Sequence, residues 1–319
     1  MKKYDVVIVN YNGEKIISDC LNSLYKSTHK PESVIIYDNA SADNSVEIIK
    51  NKYPRVNLIS GKKNLGFGRG NNEAMKHSES EFILFMNNDV LLDQKCAENL
   101  LRGLTDPDLA ISNPLIIKGW DKKRASEIYS FGAEMNKSGF GYGLYDTGKD
   151  RNDLNCFSGA CFMARANVIK KLQFEKSFFL YYEEPDLSTK ILRRGYKIGR
   201  HKDAVCYHLE SYSSPKKKAD GICFRQFYAI QNRFYMLGKY WPTLLLINAM
   251  PLNIIHLIYN IFFFIANGKW QEISIIYLSF AALRRGRKEF KKDQNYAWTK
   301  KLAKSKISTI FSLQKKVYR

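Results

Sequence analysis

Apolar runs and amphipathic stretches alternate along the first 115 residues. Tyr4–Val9 reads as a buried strand, Lys15–Tyr25 as an amphipathic helix and Ser33–Tyr37 as a second strand. A helix at Ser45–Lys52, a strand at Val56–Ser60, a glycine-rich loop, a helix near Asn71–His77 and a strand at Phe82–Met86 follow. Strand and helix repeating at this interval predict an α/β fold with a Rossmann-like, mostly parallel sheet covered by helices on both faces. Ligands of such sheets bind at the carboxyl ends of the strands. Polar clusters stand there: Asn10-Tyr11-Asn12, Asp38-Asn39, Lys62–Asn64 and Asn87-Asn88-Asp89 each follow a strand. Four polar strand ends on one rim predict a site.

The pattern then changes twice. From about Leu115 to Leu209 it is mixed, with a Gly/Tyr-rich stretch at Phe131–Tyr145 expected to form a substrate loop and a helix beginning after Glu184, where Pro185 suits the first turn. In the last third, Thr243–Ala266 is mostly apolar and as a helix would be ~36 Å long, enough to cross a bilayer. Yet Asn253, His256 and Asn260 share one helical face, and Pro251 lies in the middle. Basic residues flank both ends: Lys216–Lys218, Arg225, Arg233 and Lys239 before, Arg284, Arg285, Arg287 and Lys288 after. A single crossing would put one basic cluster on the wrong side. The expectation is a pair of C-terminal apolar helices, the second at Ile273–Leu283, lying in the interface or re-entrant, with both ends cytoplasmic. Two helices packed on the protein's own core are the alternative. The domains expected are 1–235, with a nucleotide-binding half (1–115) and an acceptor half (116–235), and a membrane-associated extension at 236–319.

Composition narrows the partners. The formal net charge is +20, which favours a polyanion: nucleic acid, an anionic membrane surface or a phosphorylated substrate. Cys20, Cys96, Cys156, Cys161, Cys206 and Cys223 form no CxxC pair, so free buried thiols are expected. The apolar run after Met1-Lys2-Lys3 is too short for a secretory signal, which predicts that the N-terminal part stays cytoplasmic.

Five motifs in order resemble family 2 glycosyltransferases, particularly bacterial rhamnosyltransferase-like members. They are Val9-Asn10-Tyr11-Asn12; Asp38–Asp43; Asn64-Leu65-Gly66-Phe67-Gly68 with Asn71-Asn72; Asn87-Asn88-Asp89; and Phe179–Leu187, which holds Glu183-Glu184-Pro185-Asp186. The resemblance covers roughly residues 4 to 235 and implies a GT-A fold, an inverting reaction and a divalent metal, Mg²⁺ or Mn²⁺.

It also implies roles. Asp38 would accept the imide N–H of uracil or thymine, flanked by Tyr11 and the Val9 and Asn10 backbone; alone, Asp38-Asn39 reads equally as an Asx turn, with Asp43 a helix N-cap. Asn64 and Gly66, with Gly68 and Gly70, would let the backbone pass close to the nucleotide. Asp89 would hold the metal beside the departing diphosphate. The family usually has two carboxylates in this motif, whereas here Asn87 and Asn88 leave Asp89 as its one anion. His208, after a strand at Ala204–Tyr207, matches a position that completes metal coordination in some relatives; a structural histidine is the other reading. Glu184 stands at the base position and would take the proton of the acceptor hydroxyl, with Glu183 the second candidate and Asp186 complementing the helix dipole.

Trp120, Tyr142, Tyr145, Tyr181 and Tyr182 are candidates to stack on sugar rings. Ser158-Gly159-Ala160-Cys161 matches the acceptor-side strand, and Arg225 with Asn232-Arg233 a C-terminal motif facing the diphosphate, with surface charge the alternative reading. The function expected is transfer of a sugar from dTDP-rhamnose or a UDP-hexose to a glycan or lipid-linked acceptor, at the cytoplasmic side of the cell membrane. Two other readings stand beside it. One is an inactive relative serving in assembly, motivated by Asn87-Asn88. The other is a nucleic-acid-binding protein, motivated by charge alone and weakened because no basic base-reading helix or aromatic RNA-binding signature appears.

Overall fold

The computed structural model describes residues 2–120, 127–209, 218–290 and 296–302. β1 (Tyr4–Asn10), α1 (Ile17–Tyr25), β2 (Val34–Asp38), α2 (Ser45–Lys52), β3 (Asn57–Ser60), α3 (Phe67–Ala74) and β4 (Phe82–Met86) follow in chain order. Ser45–Lys52 and Phe82–Met86 match the expected bounds, and the expected helix at 71–77 begins earlier, at Phe67. β1 pairs in parallel with both β2 and β4, and β2 with β3. Alternate residues of this sheet enter two cores. Val7, Ile35 and Phe85 go to one side, and Val6, Ile8 and Leu84 to the other. A strand buried on both faces must be apolar throughout, which is why these runs do not alternate.

The second half completes the sheet from the other edge. β5 (Val90–Leu92), α4 (Cys96–Gly103), β6 (Leu109–Lys118), β7 (Ile128–Ser130), β8 (Ala133–Met135), β9 (Gly141–Gly143), β10 (Arg151–Leu154), β11 (Cys161–Arg165), α5 (Ala166–Leu172), α6 (Glu183–Arg193) and β12 (Lys197–His208) come next. The spatial order is β10-β12-β6-β11-β4-β1-β2-β3. β11 runs antiparallel to β4 and β6, while β12 and β6 are parallel, so the sheet is mixed beyond its parallel first half. The Gly/Tyr-rich stretch includes the hairpin β8–β9.

α7 (Lys218–Tyr240), α8 (Thr243–Ala266) and α9 (Ile275–Lys288) follow. α8 has the bounds expected of it. The boundary expected near 235 falls inside α7, whose Met236, Leu237 and Tyr240 share a core with the sheet, as do Trp241 and Trp298. Five cysteines, Cys20, Cys96, Cys156, Cys161 and Cys206, are buried free thiols. Lys216, Lys217 and the side chains of Lys218 and Cys223 lie outside what is described.

Candidate active site

Asp38 ends β2 beside the end of β1, and its carboxylate organises the rim. Its Oδ1 accepts the Asn10 amide at 2.9 Å and the Ser41 hydroxyl at 2.6 Å; its Oδ2 accepts the Ser41 N–H at 3.0 Å. The Asx turn and a binding role are therefore compatible, because Oδ2 keeps a lone pair. Asn10 also donates to Ser45 Oγ at 2.9 Å and accepts the Asn88 amide at 3.0 Å. A relay Asn88–Asn10–Asp38 thus crosses from β4's end to β2's, wholly buried. Asn88 spends its N–H on Asn10. Tyr11 is half-buried beyond it, and Asn12 latches the loop to the next turn through Ser41 Oγ and the Ala42 N–H, at 2.9 Å each.

The glycine loop is pinned rather than open. Asn64 Oδ1 accepts the Gly66 N–H at 2.8 Å, and Asn39 spans the loop, accepting from Leu65 N and donating to Gly66 O. Gly66 has φ 81°, and a Cβ there would lie 1.9 Å from Phe179 O. Only glycine meets both conditions. Gly70 likewise leaves room for the Val9 side chain, 3.0 Å from where its Cβ would stand. The loop therefore carries the segment 179–182 that precedes α6.

Asp89 and His208 meet at the end of the paired strands β5 and β12. Both are buried, with Asp89 Oδ1 3.1 Å from His208 Nε2. Neither Asp89 Oδ1 nor His208 Nδ1 makes a hydrogen bond. The Asp89 carbonyl accepts from Leu209 N and from the Trp120 indole, both at 3.0 Å, and Tyr129 packs edge-on against the His208 ring. Trp120 thus braces this corner. Among the described residues no group of three or more His, Cys, Asp and Glu is placed to hold a metal ion. Asp89 Oδ1 and His208 Nε2 are nonetheless a buried, adjacent pair of the donor types that suit a divalent cation.

The carboxylates of α6 lie across the same strand end. Glu184 packs against Gly159, where a Cβ would lie 2.1 Å from Glu184 Oε1, and the Gly159 N–H faces its carboxylate. Asn87 N–H donates to Ala160 O at 2.9 Å. The segment 158–161 therefore joins the Asp89 motif to Glu184. Asn113 of β6 holds that segment through the Ser158 N–H and the carbonyls of Ser158 and Cys161, at 3.0 to 3.1 Å.

Burial pushes both glutamates above the ordinary carboxylate range. Glu183 goes well above it, by burial first and the neighbouring Glu184 charge second. Glu184 is raised by burial, opposed by backbone N–H groups including that of Gly159. Glu183 is fully buried with Oε1 unpartnered, its Cγ 3.2 Å from where a Gly68 Cβ would stand, whereas Glu184 retains some exposure. Asp186 is consumed in packing, by the Tyr240 hydroxyl at 2.7 Å and Lys190 at 2.6 Å.

Tyr181 and Tyr182, directly before α6, both have left-handed backbone, φ 68° and 72°. Such residues are strained outside glycine and need external support. Asn232 supplies it, donating to Leu180 O at 3.0 Å and Tyr181 O at 2.8 Å. Arg233, expected to face the diphosphate, is instead buried. Its Nε donates to Asn253 Oδ1 at 2.7 Å, Nη2 lies 3.0 Å from His256 Nδ1, and the guanidinium stacks on Phe140. Arg225 faces Tyr181. Tyr142 hydrogen-bonds Glu134 at 3.4 Å, and Tyr145 is exposed. Asn113 carries this site without having stood out in the sequence, since a buried amide leaves no periodic or motif signal.

Residues 5–173 match the family model described as Glycosyl transferase family 2. Poly(ribitol-phosphate) beta-N-acetylglucosaminyltransferase TarS of Staphylococcus aureus is 33% identical over 100 residues, which is 30% of this chain and 18% of that protein. The match thus spans less than a fifth of that relative's length. O-antigen chain rhamnosyltransferase WbaN of Salmonella anatum is 22% identical over 232 residues, 67% of this chain and 68% of that one. Mannosyltransferase PcManGT from Pyrobaculum calidifontis, solved with GDP-Man and Mn²⁺, superimposes with a TM-score of 0.54 at 15% identity, covering 89% of this chain and 86% of its own. The architecture is that of GT-A glycosyltransferases.

Proposed function

The chain belongs to glycosyl transferase family 2, and from that premise we propose an inverting transfer of a sugar from a nucleoside-diphosphate donor to an acceptor hydroxyl. The donor is dTDP-rhamnose or a UDP-hexose, and the acceptor a glycan or lipid-linked glycan of cell-surface polysaccharide synthesis, met at the cytoplasmic side of the membrane. The activities of WbaN and of the L-rhamnosyltransferase of Mycobacterium tuberculosis, which acts on N-acetylglucosaminyl-diphospho-decaprenol, support the rhamnosyl and lipid-linked readings. The observation that carries the chemistry is the shared segment 158–161, which sets Glu184 against Gly159 and the Asp89 motif against Ala160.

In this reading Asp38 Oδ2 accepts the base imide N–H, and the pinned loop 64–66 lines the nucleotide. Glu184, ionised, takes the acceptor's proton as its oxygen attacks the anomeric carbon from the face opposite the diphosphate. The new C–O bond forms as the bond to diphosphate breaks, and one displacement inverts the centre. Asp89 and His208 would hold a Mg²⁺ or Mn²⁺ ion, which would supply Lewis-acid stabilisation of the departing diphosphate. Glu183 stays protonated behind Glu184 and keeps that corner from carrying two charges. The test is direct: purified protein is incubated with a panel of dTDP-, UDP- and GDP-sugars plus Mg²⁺ or Mn²⁺, and release of nucleoside diphosphate is followed. One donor turned over, with loss on Glu184→Gln, is expected. No turnover of any donor, with or without membrane-extracted acceptors, would overturn the reading in favour of an inactive assembly partner.

A further inference from the structure

α8 is amphipathic in the reverse sense. Its polar residues Asn253, His256 and Asn260 are buried against the protein, where Asn253 also donates to Ser138 O at 2.9 Å. Its outward stripe is apolar: Leu244 is 78% exposed, Ile247 61%, Ile258 47% and Phe262 67%. On α9, Tyr277 and Phe280 are likewise exposed, 75% and 43%. A surface helix of a water-facing domain carries its charged face outward, and isolated apolar surface of this extent marks a contact site.

We propose that this face seats α8 and α9 flat in an anionic phospholipid leaflet, with α8 in the membrane plane and not across it. Two observations choose the lipid. First, residues 236–319 hold 15 Lys and Arg against 3 Asp and Glu, including Arg284, Arg285, Arg287 and Lys288 at the end of α9, just beyond the apolar stripe. A second copy pressed on the same face would bring these cations together, whereas anionic headgroups neutralise them. Second, Trp270, Tyr259 and Tyr277 are exposed around the stripe, the side chains that favour the headgroup level.

The in-plane orientation follows from how α8 is held. Thr243 accepts a hydrogen bond from Arg287 at its start, Asn253 and His256 hold Arg233 in the middle, and Leu257 and Phe264 pack on Ile230, Phe234 and Ile275 near its end. Attached along its whole length, α8 could cross a bilayer only by taking α7 and the β8–β9 turn with it. Docked flat, its inner side holds Arg233 of α7, which also approaches the Tyr182 hydroxyl at 3.4 Å beside Glu183-Glu184. The acceptor side of the pocket then lies close to the leaflet. The docking surface stands without the transfer reading; only the supply of a lipid-linked acceptor rests on it.

The test is flotation of the purified full chain with phosphatidylcholine vesicles with or without phosphatidylglycerol. Wild type should float with phosphatidylglycerol vesicles and less so at high salt. Ile258→Glu/Phe262→Glu, changing exposed side chains only, should reduce partitioning by about a hundredfold while thermal unfolding and donor binding are kept. Arg284→Glu/Lys288→Glu should remove the phosphatidylglycerol preference. Wild type left unbound by both vesicles would overturn the proposal. So would a solution dimer that Ile258→Glu/Phe262→Glu makes monomeric, or reconstituted protein whose α8 ends are labelled from opposite sides. Lost donor turnover with flotation intact would count against the transfer reading alone.

Discussion

Two adjacent glutamates compete for the role of base, and the geometry separates them. Glu184 has the Gly159 N–H facing its carboxylate and some exposure, so it ionises first; Glu183 has neither, and the charge on Glu184 then opposes its ionisation. Glu184→Gln keeps shape and volume but cannot take a proton. A positioned general base contributes about 10²- to 10⁴-fold, or ~3–5.5 kcal/mol of barrier at 1.36 kcal/mol per decade. That loss is expected in kcat, with donor Kd by calorimetry nearly unchanged. Glu183→Gln replaces a protonated carboxyl by a group of the same shape, so kcat should stay within about threefold, well inside the 10²-fold floor for a lost base.

The same substitution has a stability signature with a definite sign. The folded-state pKa of Glu183 is raised, so its unfavourable contribution is absent below the unfolded value near 4.3 and grows as pH rises towards the folded value, by about 1.36 kcal/mol per unit. Glu183→Gln should therefore raise Tm at pH 8 more than at pH 5, read by calorimetry. Reversed kinetics, with Glu183→Gln inactive and Glu184→Gln active, would refute the reasoning.

Further outcomes follow from the rest of the site. Wild-type kcat should fall on acidification through a pKa above the ordinary carboxylate value, because burial raises Glu184 and the ionised form is the one required; a pH–rate profile locates that limb. His208→Ala should raise the Mg²⁺ or Mn²⁺ concentration needed for half-maximal turnover by on the order of tenfold or more, and Asp89→Ala should abolish metal dependence together with activity, both read by metal titration. Asp38→Ala should weaken binding of the nucleoside diphosphate by about ten- to a hundredfold, the value of one buried charged hydrogen bond, measured by calorimetry. Asn232→Ala releases two carbonyls of a strained turn and should cost about 2–3 kcal/mol in urea unfolding while lowering kcat.

Elements whose burial writes itself into residue type were legible in the chain. The first parallel strands and α8 emerge near their expected bounds because an apolar run must be covered or be lipid-facing. The rim was legible too, since polar clusters recur after strands. The antiparallel entry of β11 was not, because strand direction depends on long-range pairing of Cys161–Arg165 with Met86–Phe82. Arg233 was misplaced for a related reason. A sequence shows its charge, but only the fold shows Asn253, His256 and Phe140 waiting on α8 and the hairpin. Asn113, which holds a loop by its carbonyls, belongs to no pattern at all.

The amide relay from Asn88 to Asp38 ties two positions into one choice. Asn10 points its nitrogen at Asp38 because Asn88 offers it a donor on the other side. A carboxylate at 88 would need that nitrogen for itself, turning the Asn10 oxygen against Asp38. Asn88→Asp alone would thus disturb the far rim, so a carboxylate at 88 has to travel with a change at residue 10.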